Sequence, residues 1–432
     1  MRKLVFLVVL LMAFVIFGCG GDDISPTPED VKVDLYPDQD VIAYYSDTIQ
    51  FNVQVFNTHD TRIKWLLDGV EGGNDSLGTI DTLGEYIAPA SAVSFDQVIL
   101  KVISQADTSK SDSVSILILD PLYIFVDSTD GDDSSGTGSP MRPYRTITEG
   151  LRQAISGQTV QIAAGTYVDG EAFPISPNYG ISIRGAGPSA TRIEAPAGTS
   201  NDQAALMIQY DRNSLHDLTI TGSGGLGVGI NFASDIDTST FTFSNCIIED
   251  CYRAVAKTGQ ATFLSLVGTA DDTIAIRNCT YGLSVDEATD SVKIFYCKFE
   301  GIDSVAVDLP AIVDDLDFEY NLVDGARIAI RIGAGGFGLI LKNTFMNISE
   351  IGVEIALDAY ANLGEDQAFL HGDNHFENFG SGNWCIRNDD NDPITAIYNW
   401  WPAADSAGID SLIYDDEENS SSGPVDFAPW NN

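Results

Sequence analysis

The chain has 432 residues, with 63 Asp or Glu against 22 Lys or Arg and a formal net charge of −41. That balance excludes nucleic acid, whose phosphates need a basic patch, and anionic lipid held by charge alone. The acidity fits either a well-solvated surface or scattered calcium sites, and the length suggests two or three domains.

The first element is a leader. Arg2 and Lys3 precede an apolar run from Leu4 to Phe17. The run is shorter than the roughly 20 residues a spanning helix needs, so residues 1–18 read as a secretory signal. It ends Ile16-Phe17-Gly18-Cys19, which resembles the lipobox of bacterial lipoproteins. The resemblance implies that Cys19 is acylated and that the protein meets a membrane through this lipid anchor. Gly20 rather than Asp follows, which in a Gram-negative host implies the outer membrane or cell surface. Residues 19–30, "CGGDDISPTPED", form a polar tether.

Residues 31–120 alternate in the manner of strands, as in "TIQFNVQVFN", "QVILKVISQA" and "DSVSILIL". Turn residues separate these runs at short intervals, the pattern of a small β-sandwich. Trp65 is the expected core aromatic. "GTIDTLGEYIAPA", Gly78 to Ala90, resembles a segment of bacterial Ig-like domains, which implies a stalk or interaction module.

Residues 121–432 begin with "PLYIFV", followed by "DGDDSSGTGSPMRPYRTI". The second stretch does not place acids and a glycine as an EF-hand loop requires, so its glycines and aspartates are expected to make tight turns. Thr146 and Glu149 form a Thr-x-x-Glu capping box opening a short helix, and Gly157 suits its C-cap.

The remainder repeats. One column reads Leu218, Cys246, Cys279, Cys297, Asn321, Thr344, Asn374 and Asn399. A second reads Ile230, Val255, Val285, Val307, Ile330, Val353 and Ile386, each preceded by a mostly small residue. The steps of 25, 30, 22, 23, 23 and 33 residues are those of a solenoid. The short, β-branched elements without a helical stripe make it a parallel β-helix. Stacked at about 4.8 Å, the cysteines become small buried hydrophobes and the asparagines an amide ladder. A zinc site is the rival reading, but the spacing fits no zinc pattern and no His stands near the cysteines. His371 and His375, in "FLHGDNHF", sit within a coil motif. Trp400, Trp401, Phe427 and Trp430 stand where a terminal cap is needed, though stacked tryptophans also bind sugar rings.

The segment from "DSTDGDD" through the helix to "GTYVDG" and "ISIRGAG" resembles the opening of a bacterial family of pectin-lyase-like β-helix proteins. The resemblance implies an all-β chain: an Ig-like sandwich, then a right-handed parallel β-helix with an N-terminal capping helix. That superfamily mixes lyases, hydrolases, epimerases and non-catalytic surface proteins, so the fold does not decide the activity.

Residues following the second column should point outward. They place Asp286, Asp308, Arg331 and Glu354 on adjacent coils, within about 15 Å. Asp286 and Asp308 are candidate calcium ligands. Arg331, Asp308 and Glu354 are candidate catalytic residues, with Arg331 as base or carboxylate clamp. The simpler reading is a surface charge ladder in which Arg331 offsets its neighbours. The leading expectation is therefore an exported, monomeric lipoprotein that displays a β-helix for glycan binding, adhesion or envelope structure. The alternative is a lyase or glycoside hydrolase acting on acidic polysaccharides.

Overall fold

The computed structural model describes residues 30–91, 95–196, 203–222, 227–233, 241–259, 263–270, 273–366, 371–380 and 382–431. Cys19 and the leader lie outside the described residues. The chain divides into two compact units: residues up to Ala90 with Gln97–Leu117, and Ser91–Asp96 with Ile118–Asn432.

The first unit is a β-sandwich. Gln97–Ser104 pairs antiparallel with Ser111–Leu119 on one side and with Ile63–Leu67 on the other. Alternation sends Val98, Leu100 and Val102 fully inward. Trp65 is buried, as expected. In the Gly-x-Tyr-x-Ala-Pro segment, Gly84 has φ of +84°, and a Cβ there would lie 2.3 Å from the Phe51 carbonyl oxygen. The segment therefore requires glycine. Tyr86, two residues on, is wholly buried and meets Phe51 edge to face.

The second unit is a right-handed parallel β-helix of about nine turns. Its first strand, Tyr123–Val126, pairs parallel with Thr159–Ile162. Between them the acid-rich stretch folds on itself. Asp132 accepts from the Ser134 and Ser135 amides and the Ser134 hydroxyl, and those bonds hold its carboxyl down at about 2. Asp133 accepts from the Arg145 and Thr146 amides and the Thr146 hydroxyl.

The helix Ile147–Gln153 buries Ile147, Gly150 and Leu151 in the core of the first coils. Half of the expected capping box forms: Thr146 Oγ1 accepts from the Glu149 amide at 3.0 Å. Glu149 turns instead to Arg152, because Asp133 already holds the Thr146 amide. The C-cap is Ala154, not Gly157, which lies three residues further on at φ +94°. Glu171 takes the remaining helix donors, accepting from the Ile147 and Thr148 amides at 2.7 and 2.9 Å. Glu171→Ala is expected to destabilise this unit by about 1–3 kcal/mol, the effect of leaving such donors unpartnered. Urea unfolding measures it, and no shift in midpoint would show that another group caps the helix.

The two columns emerge with corrections. In the first, Leu218 pairs with Cys246, and Ile274 with Cys297. Asn321, Asn343, Asn374 and Asn399 continue it, so Asn343 and not Thr344 is the ladder residue. Cys297 and the four asparagines each follow a left-handed corner residue, Tyr296, Tyr320, Lys342, Asp373 and Tyr398, and the corner turns the next side chain inward. Cys279 belongs to another corner: the Thr280 amide donates to the Cys251 carbonyl, one coil back. All five described cysteines are buried, and none forms a disulfide among the described residues.

In the second column the third member is Leu283, not Val285, since Val255 pairs with Leu283 and Leu283 with Val307. The small residue before it is Gly282, whose Cβ would meet the interior ring of Phe299 at 2.7 Å. Inside the coils Phe318, Phe345, Phe376 and Trp401 stack in a spine at 5.0–6.2 Å. Phe427 and Trp430 close its end. Trp400 is no part of this cap. It faces outward, 37% exposed, with its ring on His375, because alternation between Asn399 and Trp401 leaves it on the solvent side.

Candidate functional site

One outer row is charged. Its register runs Asn231, Ala256, Ser284, Asp308, Arg331, Glu354, Arg387 and Tyr414. Three of the four anticipated residues therefore share a row. Asp286 does not: Ser284 takes its place, and Asp286 lies two residues beyond. The shift follows from the corrected column, since Leu283 rather than Val285 pairs with Val255 and Val307.

Arg331 joins the row. Its Nε donates to Glu354 Oε2 at 2.7 Å, and its Nη1 to Asp308 Oδ1 at 3.4 Å. Arg387 lies 4.0 Å from Glu354, donates to Asp389 at 3.1 Å, and covers the Tyr414 ring at 5.2 Å. Asp286 pairs with Arg253 and accepts from the Ser284 hydroxyl. Burial pushes the Asp308 carboxyl above its ordinary range, against the pull of Arg331. Burial also works against the Arg331 charge, but Glu354 and Asp308 outweigh it and hold the guanidinium above its ordinary value.

These pairings decide what the row can hold. Calcium takes six to eight oxygen ligands. Asp286 and Asp308, each already on a guanidinium, do not fit it. Among the described residues no group of three or more His, Cys, Asp or Glu side chains converges to hold a metal ion.

A second outer row runs beside the first. Val305, Ile328 and Ile351 form a buried cluster separate from the interior core, with Tyr281 and Trp384 packed against it. Earlier in the solenoid, Val228 of this row and Ala256 of the charged row share with Ala204 a buried cluster separate from the interior core, so the two rows meet outside that core. The bend arises because two successive residues, such as Ala306 and Val307, both join the interior core. At its ends the apolar row carries aromatic pairs set edge to face: Tyr252 with Tyr281 at 5.6 Å, and Trp384 with Tyr414 at 5.4 Å. Sequence reading missed Tyr281 and Trp384. Their signal was position, two residues before each inward aliphatic.

Residues 129–222 match the model of a family described as a protein of unknown function, DUF1565. No curated protein sequence matches the chain. Among solved structures, Escherichia coli ybhC is 14% identical, covering 59% of this chain and 76% of its own, with a TM-score of 0.25. The catalytic domain of a GH87 α-1,3-glucanase in complex with nigerose is 13% identical over 86% of each chain, with a TM-score of 0.30. The catalytic unit of the thermostable GH87 α-1,3-glucanase from Streptomyces thermodiastaticus strain HF3-3 is 14% identical, covering 85% of this chain and 83% of its own, with a TM-score of 0.23. None of these likenesses bears on activity.

Proposed function

We propose that the β-helix is a non-catalytic, glycan-contacting surface of an exported lipoprotein, carried on an Ig-like module and anchored through Cys19. One observation supports it above the rest: Arg331 binds both Asp308 and Glu354. The carboxylates that would act as acid, base or metal ligand are engaged by a permanent cation. The partly exposed rings of Tyr281 and Trp384 beside that row combine flat apolar faces with groups that bond sugar hydroxyls.

A second reading is a hydrolase acting on acidic polysaccharides. Asp308 is raised as a general acid needs. Glu354 stands two coils away, about 10 Å by strand spacing, just above the roughly 6.5–9.5 Å of inverting glycosidases. Arg331 stands between them, where the attacking water would sit. A lyase using Arg331 as base is less suited, because this guanidinium holds its proton more tightly than usual.

The test is retention on an immobilised polysaccharide panel, run with assays for reducing ends and for the unsaturated uronate product, with and without calcium. Retention without release is the expected outcome, weakened by Trp384→Ala. Release of reducing ends abolished by Asp308→Asn, or of unsaturated product abolished by Arg331→Ala, would establish the enzyme instead. Arg331→Ala is also expected to lower stability by about 1–2 kcal/mol, between the effects of exposed and buried pairs. Urea unfolding measures that change separately.

A further inference from the structure

The turns that follow the charged row make another surface. On successive coils they read Asp286-Glu287-Ala288, Pro310-Ala311-Ile312, Gly333-Ala334-Gly335 and Ala356-Leu357-Asp358. The middle of this series is apolar and open. Ile312 is 47% exposed, Phe337 37% and Leu357 56%. The turns of neighbouring coils adjoin: a Cβ on Gly335 would lie 3.4 Å from Ile312, the Gly335 amide donates to the Asp358 carbonyl at 2.7 Å, and Phe337 stacks on Tyr360 at 5.5 Å. Single exposed apolar residues need no explanation, but a patch across three consecutive coils marks a contact surface.

Its border is acidic. Glu287 and Asp290 stand on the coil before, Asp358 and Asp392 on the far side, all exposed. None of the four joins an ion pair among the described residues, whose nearby pairs use Asp286, Asp317 and Asp389.

We infer that this patch docks a basic amphipathic protein segment, with aliphatic or aromatic side chains on the Ile312, Phe337 and Leu357 turns and Lys or Arg against the acidic border. Charge selects the occupant. A second copy of this chain brings the same −41 charge, and a uronate polymer is likewise repelled. The surface lies apart from Tyr281 and Trp384, so this inference stands or falls independently of glycan contact.

Titration of the full chain by fluorescence anisotropy tests it, using two peptides of equal length and charge, one alternating Leu with Lys and one Ser with Lys. The Leu–Lys peptide is expected to bind at least ~10-fold tighter, and Leu357→Asp or Phe337→Ser to remove about that factor, the effect of losing one buried apolar anchor. Equal binding of the two peptides, or binding indifferent to both substitutions, overturns the inference. So does a dimer in sedimentation that Leu357→Asp dissolves, or retention on a neutral glucan lost in the same variant. Both side chains are exposed, so the fold should survive. Circular dichroism checks this, and Ile312→Ser serves if either variant melts.

Discussion

Asn343→Leu is expected to destabilise the β-helix by about 3–6 kcal/mol, from several buried groups left unpartnered at about 1–3 kcal/mol each. Asn343 is fully buried at the middle of the ladder. Its Oδ1 accepts from the Asn321 amide and side chain at 2.8 and 3.1 Å. Its Nδ2 donates to the Phe318 and Leu341 carbonyls at 2.7 and 2.9 Å, and its own amide donates to Asn374 Oδ1 at 3.0 Å. Leucine keeps the backbone bond but orphans two carbonyls and the Asn321 donors. Asn343→Asp retains the acceptor and loses the donors, so it should fall between. Neighbouring Thr344→Leu, outside the ladder, should change stability far less. Denaturant unfolding followed by circular dichroism orders the three, and equal effects at 343 and 344 would refute the register.

Phe345→Ala should rank beside it, at about 3–5 kcal/mol for a buried aromatic truncated to a cavity. Phe345 has no exposed surface and lies between Phe318, at 6.2 Å, and Phe376, at 5.2 Å. Each coil touches only its neighbours, so a break in mid-spine should also weaken coupling between the two halves. Calorimetry should show the single transition of this unit broaden or divide. A sharp transition, merely displaced, would mean that the outer rows and not the aromatic spine carry cooperativity.

The β-helix was legible because its signal is redundant. Residues such as Val307, Ile330 and Val353 recur at steps of 23, and every coil repeats the same demand for an inward aliphatic. The errors arose where the period varies. Between Val255 and Val307 the sequence offers both Leu283 and Val285 to the column, and both are buried. Choosing Val285 moved Asp286 into a row that belongs to Ser284. The Asn343 error is of the same kind: in Leu341-Lys342-Asn343-Thr344 two small polar residues compete, and the left-handed conformation of Lys342 selects the first.

The sequence alone determined the repeat, the sandwich before it, the capping helix and the presence of Asp308, Arg331 and Glu354 on one row. These follow from local periodicity, which side-chain alternation enforces residue by residue. Only the tertiary structure decided what that row is. Whether two carboxylates are free to react or are bound to one guanidinium depends on contacts between coils 23 residues apart, set by rotamers and burial rather than by pattern. The same holds for the apolar turns at Ile312 and Leu357. They are unremarkable singly in the sequence, and adjacent only because three coils stack.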